Sequence, residues 1–301
     1  MKPAEAERQV ARSLGEIYEE GEAKNIADLL MEHITRYSKG ERLVRKDDEL
    51  TTLQEQELSE KLQRLIKHEP LQYVLNKSWF YGMELFVNSS VLIPRPETEE
   101  LVEWIVNDIK ASGLDVFSRN TSAADETTLL KILDVGTGSG CIALALKKTM
   151  PRAEVWGCDV SEDALNVARR NGSGLDIRVD FQGLNFLDTE QQKQLPTVNI
   201  LVSNPPYIPF RDKDQMHRNV VEHEPHLALF VPDEDPLVFY RALAHFGKHR
   251  LYEHGTIYLE IHEDLGQDIE QLFKKEGYWS VELKKDMQGK TRMVKVRKKH
   301  Y

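Results

Sequence analysis

The chain has 301 residues, 40% hydrophobic and 30% charged, a composition that allows a sizeable α/β core and a smaller domain. No apolar stretch approaches the roughly 20 residues that span a bilayer, and no signal peptide is recognisable, so no membrane partner is expected. The net charge of -10 argues against a broad phosphate-binding surface, so direct nucleic-acid binding is not expected either. The two cysteines, Cys141 and Cys158, are expected to be free packing residues in a reducing cytoplasm.

Residues 1–77 are predicted to form a small helical domain. Apolar residues recur there at the spacing of a helix face, and glycine and proline are rare. The predicted faces comprise Val10, Leu14 and Ile17, then Ile26, Leu29, Leu30 and Ile34, and finally Leu58, Leu62, Leu65 and Ile66. Thr51 or Thr52 is expected to cap the last helix, with Glu55 in its first turn. Such a bundle serves either as a structural cap on the next domain or as a module that recognises a partner.

A β-hairpin linker is predicted over residues 78–95, followed by a domain that spans residues 96–301. Pro96 with acidic residues after it is typical of a helix start, and this helix is expected to run through Ile109. The segment Ser112–Thr128 is polar and lacks periodicity, which predicts a mobile loop.

From Leu129 onward, strand and helix patterns alternate, which predicts an α/β fold with a mostly parallel sheet and helices on both faces. Strands are expected near 130–135, 154–159, 176–181, 198–203, 255–261, 279–285 and 291–297, and helices near 139–149, 161–171, 236–250 and 263–275. The last two strands, joined by a turn that contains Gly289, are expected to pair antiparallel. Ligands of such sheets bind outside the carboxyl ends of the strands.

A glycine-rich turn, Gly136–Gly140, follows the first of these strands and leads into a helix. Glycines there permit positive φ and let a ligand approach the backbone closely. Cys141 stands where the dinucleotide fingerprint GxGxxG requires its third glycine, so that fingerprint fails. Asp159 ends the next strand, where a carboxylate can accept hydrogen bonds from both hydroxyls of a ribose.

The tetrapeptide Asn204-Pro205-Pro206-Tyr207 follows the apolar run 198–202, which is typical of a buried strand. Two consecutive prolines hold the backbone extended and donate no hydrogen bond. The Asn204 side-chain oxygen and the Pro205 carbonyl are thereby predicted to be fixed acceptors with the Tyr207 ring close by. Two acceptors and a ring face suit a planar NH2 group, such as an amide or an exocyclic base amine.

The glycine turn, Asp159, the segment Asn185-Phe186 and Asn204 all fall at predicted carboxyl ends of strands, so we expect them to converge on one cleft. An acid before a glycine turn, as at Asp134, resembles the cofactor loop of S-adenosylmethionine-dependent methyltransferases.

Together these features resemble one family more closely, the release factor glutamine methyltransferases of the PrmC/HemK type. The resemblance covers most of the chain from Pro70 onward. It rests on the blocks Pro70–Tyr73, Val91–Glu99, Asp134–Gly140, Ser203–Pro209, Glu224–Phe230 and Lys285–Arg292. The Asn-Pro-Pro-Tyr block alone is shared with amino-methyltransferases that act on adenine, whereas the Leu92–Glu99 block is far more specific to the protein-modifying family.

The resemblance implies a Rossmann-like methyltransferase sheet and methyl transfer from S-adenosyl-L-methionine, with S-adenosyl-L-homocysteine as product. The acceptor would be the side-chain amide nitrogen of the glutamine in the Gly-Gly-Gln motif of a peptide chain release factor. Residues 1–77 would recognise that factor, and residues 96–301 would form the catalytic domain. The implied cofactor-binding residues are Asp134, Gly136, Thr137, Gly138, Ser139, Gly140, Asp159, Phe186 and Asn204. The implied substrate-binding residues are Asn204, Pro205, Pro206 and Tyr207, of which Asn204, Pro205 and Tyr207 are expected to be catalytic.

Two other hypotheses about the function stay open. An amino-methyltransferase of adenine N6 or guanine N2 in a nucleic acid would use the same tetrapeptide, with Tyr207 stacked on a flipped base. The acidic balance and the lack of a Lys/Arg-rich recognition segment argue against it. A non-catalytic binding protein would keep the fold as a scaffold, and the intact Gly136–Gly140, Asp159 and Asn204 argue against that.

No metal site is expected. His217, His223, Glu224 and His226 are close in sequence, but they lack the i, i+4 pair of a zinc-binding helix, and Pro225 interrupts any helix there.

Overall fold

The computed structural model describes residues 1–112 and 129–298. The predicted loop Ser112–Thr128 lies outside the described residues apart from its first residue. Contacts divide the chain into two compact units, one of Met1–Lys77 with His217–His223 and the other of Ser78–Met216 with Glu224–Tyr301. In the part of the chain that is described, no helix is both long enough and apolar enough to cross a membrane.

The secondary structure alternates from the middle of the chain onward, as predicted. The α-helices are α1 Pro3–Leu14, α2 Glu20–Thr35, α3 Lys39–Val44, α4 Thr52–Ile66, α5 Leu71–Leu75, α6 Pro96–Ala111, α7 Cys141–Thr149, α8 Glu162–Gly174, α9 Thr189–Gln192, α10 Arg218–His223, α11 Val238–Arg250 and α12 Gly266–Lys275. The strands are β1 Ser78–Phe80, β2 Met83–Leu85, β3 Lys131–Val135, β4 Glu154–Asp159, β5 Asp180–Gly183, β6 Val198–Ser203, β7 Ile208–Pro209, β8 Phe230–Val231, β9 Leu251–Glu260, β10 Ser280–Lys285 and β11 Thr291–Arg297. Two 3-10 helices, Phe210–Gln215 and His226–Ala228, flank α10 in the sequence.

The first unit is a bundle around one apolar core. That core contains most of the residues predicted from helical spacing, among them Val10, Leu14, Ile26, Leu30, Ile34, Leu58 and Leu65. Leu29 was wrongly predicted as a core residue, because its position on α2 leaves it 49% exposed. Thr51 caps α4 and forms a reciprocal capping box with Gln54, and Glu55 lies in the first turn as predicted.

The second unit is built on a seven-stranded sheet in the order β10-β11-β9-β6-β3-β4-β5. The pairings from β9 through β6, β3 and β4 to β5 are parallel. The pairings of β11 with β9 and with β10 are antiparallel, which confirms the prediction for the last two strands. The hairpin β1–β2 is antiparallel as well.

Apolar side chains leave both faces of this sheet, because successive residues of a strand point to opposite sides. On β3, Ile132 packs into one core with α6 and α7, whereas Leu133 packs into a second core with α11 and α12. Burial on both faces explains why β3 and β6 are nearly continuous apolar runs. It also confirms the prediction of helices on both faces.

Several element boundaries differ from the prediction, among them the start of β9, which lies at Leu251 rather than near residue 255. The strand expected near 176–181 begins only at Asp180, because Asp176 adopts φ 54° and the Ile177 N–H donates to the Gly172 carbonyl in a turn. The helix expected over 263–275 begins at Gly266.

Candidate active site

A cavity of about 340 Å³ opens at the carboxyl ends of the central strands of the second unit. Its wall is formed by the glycine turn, the end of β4, the segment after β5 and the corner after β6. The predicted site residues on this wall are Gly136, Thr137, Gly138, Ser139, Asp159, Phe186, Asn204, Pro205 and Pro206. The predicted convergence of these segments on one cleft is therefore confirmed.

The glycine turn follows a path that only glycine adopts readily. Gly136, Gly138 and Gly140 have φ of 71°, 53° and 80°. The N–H groups of Gly136 and Thr137 both donate to the Cys158 carbonyl, at 2.9 and 3.0 Å, which ties the turn to the end of β4. Apart from Gly136 and its two chain neighbours, no atom of the described residues lies within 4 Å of the place a Cβ would take at Gly136, so the space above this turn is open to a ligand.

Asn171 of α8 holds the turn from behind. Its Nδ2 donates to the Ser139 carbonyl at 2.9 Å and to the Phe86 carbonyl at 3.0 Å, and its Oδ1 accepts from the Phe86 N–H at 2.7 Å. A buried side chain that satisfies three backbone groups fixes their separation. The glycine turn is thereby attached to the segment after the hairpin, a contact that no local sequence signal announces.

Asp159 presents a carboxylate at the end of β4. Its Oδ2 accepts from the Gly138 N–H and its Oδ1 from the Ser161 N–H, each at 2.9 Å. Burial raises the pKa of Asp159, and these backbone donors oppose that shift. Each carboxylate oxygen can accept a further hydrogen bond, so Asp159 is able to receive two hydroxyls from the cavity.

Asp134 lies beneath the turn rather than on the cavity wall. It is fully buried, and its Oδ2 accepts from the Thr137 hydroxyl at 2.7 Å. Burial raises its pKa to about 7, and the Thr137 hydroxyl opposes that shift. Its Oδ1 is buried and has no hydrogen-bond partner among the residues that the structure describes. In this arrangement Asp134 orients Thr137, and direct contact between Asp134 and a ligand stays a prediction.

Part of the cavity wall is apolar. This apolar wall consists of Val160, Ala164, Leu184, Phe186 and Leu187. Phe186 is buried and packs against the Phe246 ring with 5.3 Å between the ring centroids. A flat apolar surface beside a carboxylate suits a nucleoside, whose base is planar and whose ribose carries two hydroxyls.

The corner after β6 presents the two predicted acceptors. Asn204 and Pro205 both line the cavity. The Asn204 Nδ2 donates to the Thr98 hydroxyl at 3.1 Å. Among the described residues no donor contacts the Asn204 Oδ1 or the Pro205 carbonyl, so both oxygens are available to a ligand NH2 group.

Behind this corner lies a buried polar cluster. The Thr98 hydroxyl donates to the Glu260 Oε2 at 2.6 Å, and the Tyr207 hydroxyl donates to the Glu260 Oε1 at 3.4 Å. Tyr207 therefore turns its hydroxyl inward and lies outside the cavity wall. Its ring packs edge-on against His262, with 6.0 Å between the centroids.

An ion pair closes another part of the wall. Arg95 donates to the Glu224 Oε1 at 2.5 Å, and the Glu224 Oε2 accepts from the Ile93 N–H at 3.2 Å. The Glu224 side chain is buried, while Arg95 is partly exposed and lines the cavity. The blocks Val91–Glu99 and Glu224–Phe230 are thus held together although they are far apart in the chain.

Sequence reasoning assigned no role to Thr98, Glu260, Arg95, Glu224 or Asn171. Thr98 and Arg95 belong to the Leu92–Glu99 block, so the sequence marked their positions, but it did not show which residues they contact. Glu260 ends β9, and a carboxylate at a strand end is a weak signal of a site. Of the predicted residues, Asp134, Gly140 and Tyr207 lie outside the cavity wall. The described residues contain no cluster that could hold a metal ion, and both cysteines are free thiols.

Two family models match separate parts of the chain. Residues 5–75 match the PrmC N-terminal domain, and residues 115–226 match the methyltransferase small domain. The first match falls within the first unit, and most of the second match falls within the second unit.

Full-length relatives are similar in sequence. The release factor glutamine methyltransferase of Flavobacterium psychrophilum is 39% identical over 289 residues, which cover 96% of this chain and 96% of the relative. That of Bacteroides thetaiotaomicron is 38% identical over 285 residues, with 95% and 96% covered. That of Streptococcus pneumoniae is 40% identical over 250 residues, with 82% of each chain covered.

A solved structure shares the fold at much lower identity. The hMettl16 catalytic domain, crystallised in complex with MAT2A 3'UTR hairpin 6, aligns with a TM-score of 0.52 and 15% identity. The alignment covers 73% of this chain and 77% of that one. At this identity the similarity shows a common methyltransferase fold.

Proposed function

The chain belongs to the release factor glutamine methyltransferase family, and we propose that it methylates the side-chain amide nitrogen of the glutamine in the Gly-Gly-Gln motif of a peptide chain release factor. The observation that carries this proposal is the pair of free acceptors at Asn204 and Pro205, which line the same cavity as the glycine turn. A carboxamide NH2 group offers two donors in one plane, and two fixed oxygens match it.

The cavity fits S-adenosyl-L-methionine as the methyl donor. Asp159 would accept the ribose hydroxyls, the wall that contains Phe186 would contact the adenine, and the glycine turn would lie along the methionine portion. When bound, this cofactor would supply an electrophilic methyl group, whose bonding electron pair would stay with the sulfonium sulfur as the glutamine nitrogen takes the methyl. Support for the fit comes from the open space at Gly136 and from the spare acceptor capacity of Asp159.

The acceptor corner has the harder chemical task, because an amide nitrogen delocalises its lone pair into the carbonyl and is a weak nucleophile. Hydrogen bonds from the NH2 group to Asn204 Oδ1 and the Pro205 carbonyl orient the nitrogen. They also favour the positive charge that develops on it. Orientation at contact distance contributes roughly 7–11 kcal/mol in well-aligned systems, and each acceptor of a charged donor adds about 1.5–3 kcal/mol. The proton can leave to water after transfer, so no strong base is required beforehand.

Residues 1–77 are proposed to recognise the release factor. The match to the PrmC N-terminal domain over residues 5–75 supports this assignment. The helical unit also has its own apolar core, as expected of a recognition module that precedes a catalytic fold.

The test is methyl transfer from labelled S-adenosyl-L-methionine to a release factor, with tRNA, rRNA and DNA offered in parallel reactions. The matched control is the same release factor with alanine in place of the Gly-Gly-Gln glutamine. We expect one methyl group on the glutamine, found by mass spectrometry, and no label on the control. Label on a nucleic acid and none on the release factor would overturn the proposal.

A further inference from the structure

The orientation of the Asn204 amide determines whether the acceptor corner can work. An amide has two ends of nearly equal size, one an acceptor oxygen and the other a donor NH2. With the oxygen toward the cavity, Asn204 accepts from a substrate NH2 group. With its own NH2 toward the cavity, two donors would face each other. Shape alone does not choose between these orientations, so a hydrogen-bond partner must.

The structure contains a directed chain of hydrogen bonds that makes this choice. An ionised Glu260 carries no proton and can only accept, so the Thr98 hydroxyl donates to it, at 2.6 Å. Thr98 has one hydroxyl proton, and once that proton is used its oxygen can only accept. The group of Asn204 that faces Thr98 must therefore be the donor, and Nδ2 lies 3.1 Å from the Thr98 hydroxyl.

We propose that Thr98 and Glu260 are positioning residues that fix the Asn204 amide with its oxygen toward the acceptor pocket. This inference rests on the proposed function, since it explains how the acceptor corner is kept in its active orientation. Sheet register supports it. Pairing of Ser203 with Leu259 between β6 and β9 brings Glu260 to the level of Asn204.

The cluster around Glu260 also contains the Lys285–Arg292 block, for which sequence reasoning found no role. Arg292 donates to the Asp286 Oδ2 at 3.4 Å and to the Ile261 carbonyl at 3.5 Å. Asp286 is itself fixed by the N–H groups of Gln288 and Lys290, at 3.0 and 2.9 Å. The loop thus anchors a guanidinium whose positive charge favours the ionised Glu260 carboxylate that the chain of hydrogen bonds requires.

The charge of Glu260 makes the arrangement sensitive to pH. Burial raises the pKa of Glu260 to about 7, and the Thr98 hydroxyl and the Arg292 charge oppose that shift. The titratable and charged groups that face it are Glu97 from α6, Cys141 from α7, Arg292 from β11, and the hydroxyls of Tyr207 and Tyr240. A protonated Glu260 could donate to Thr98, whose hydroxyl could then donate to the Asn204 oxygen. The polarity of the chain would reverse, and the NH2 end of Asn204 would turn toward the substrate.

The test uses full-length variants in a steady-state assay with labelled S-adenosyl-L-methionine and a release factor that carries Gly-Gly-Gln. Thr98→Val removes the hydroxyl and keeps the shape, whereas the matched variant Thr98→Ser keeps the hydroxyl. Glu260→Gln can donate to Thr98 and so permits the reversed chain. Thermal melting and the Kd for the cofactor show whether each variant is folded.

We expect Thr98→Val and Glu260→Gln to lower kcat on the release factor by about tenfold or more, and Thr98→Ser to stay within about threefold of wild type. The cofactor Kd should change little in all three. The wild-type rate should fall as the pH drops below about 7, and Thr98→Val should lack this fall.

Wild-type turnover in Thr98→Val would overturn the inference, as would equal losses in Thr98→Val and Thr98→Ser. If Thr98→Val does not fold, Glu260→Gln decides. If Glu260→Gln had a normal kcat and lost activity at low pH as the wild type does, the inference would be overturned. A tenfold loss of kcat without that fall at low pH would support it. A wild type that leaves the release factor unmethylated would instead contradict the proposed function on which the inference rests.

Discussion

The two sides of the cavity are built in different ways. The glycine side depends on backbone groups and on contacts between neighbouring strand ends, such as those from Gly136 and Thr137 to Cys158. The acceptor side depends on side chains from distant parts of the chain. Thr98 is 106 positions from Asn204 and 162 from Glu260. A backbone-built site is fixed by local conformation, whereas a side-chain-built site exists only once the sheet has formed.

This difference has a consequence for mutagenesis. Substitutions on the acceptor side can remove single functional groups and leave the glycine turn unchanged. The two sides should therefore be separable, with one controlling turnover and the other cofactor affinity.

The largest expected effect is that of Asn204→Ala. Removing the Oδ1 acceptor should lower kcat on the order of 100-fold, because charge developing on the nitrogen loses a fixed partner. The cofactor Kd should stay within an order of magnitude, since the glycine turn and Asp159 are unchanged. Steady-state kinetics and calorimetry measure the two quantities, and turnover near wild type would contradict the assigned role of Asn204.

A smaller and opposite pattern is expected for Asp159→Asn. The cofactor Kd should rise by about tenfold, because one charged acceptor becomes a neutral amide at the proposed ribose contact. At saturating cofactor, kcat should stay close to wild type. Calorimetry with S-adenosyl-L-homocysteine checks the affinity. A loss of kcat with an unchanged cofactor Kd would contradict the proposal that Asp159 controls cofactor affinity rather than turnover.

The smallest effect concerns Asp134→Asn and protein stability. The pKa of Asp134 rises from its usual 3.8 to about 7 in the folded protein, so the folded state binds the proton more tightly than the unfolded chain. Ionisation of this group therefore lowers wild-type stability as the pH rises from about 4 to 7, and its contribution levels off above that. Asp134→Asn removes the carboxyl and with it this pH-dependent contribution to stability. Its free energy of unfolding, relative to wild type, should rise by ~1 kcal/mol or more over that range.

Urea unfolding at several pH values measures this difference. A difference that does not vary with pH would show that burial does not raise the pKa of Asp134.

Local patterns were sufficient to predict much of the fold and half of the cavity. Three features of the site are each marked by a predicted strand and the residues that follow it. The glycine turn follows a strand that ends in glycines, Asp159 is an acid at a strand end, and Asn204 begins an Asn-Pro-Pro corner after a strand. Alternating strands and helices then place these ends on one edge. Sequence patterns also predicted the antiparallel final strands, because a short glycine turn joins them.

The rest depended on register and packing. Thr98 resembles any threonine in a first helical turn. The pairing of β6 with β9 brings Glu260 to the level of Asn204, and the packing of α6 brings Thr98 into contact with both. The Tyr207 ring was predicted to lie close to the two acceptors, and no local pattern indicates that its hydroxyl points to Glu260. Leu29 has helical spacing yet is exposed. The apolar face predicted for α2 was wider than the part of the helix that contacts the core.

The most direct test is a crystal structure of the full chain with S-adenosyl-L-homocysteine and a release factor, refined well enough to place the glutamine amide. We expect the amide nitrogen about 2.8–3.2 Å from both the Asn204 Oδ1 and the Pro205 carbonyl, with the Asn204 Nδ2 donating to the Thr98 hydroxyl. A glutamine amide bound elsewhere in the cavity, or an Asn204 that turns its NH2 toward the substrate, would contradict the assigned role of this corner.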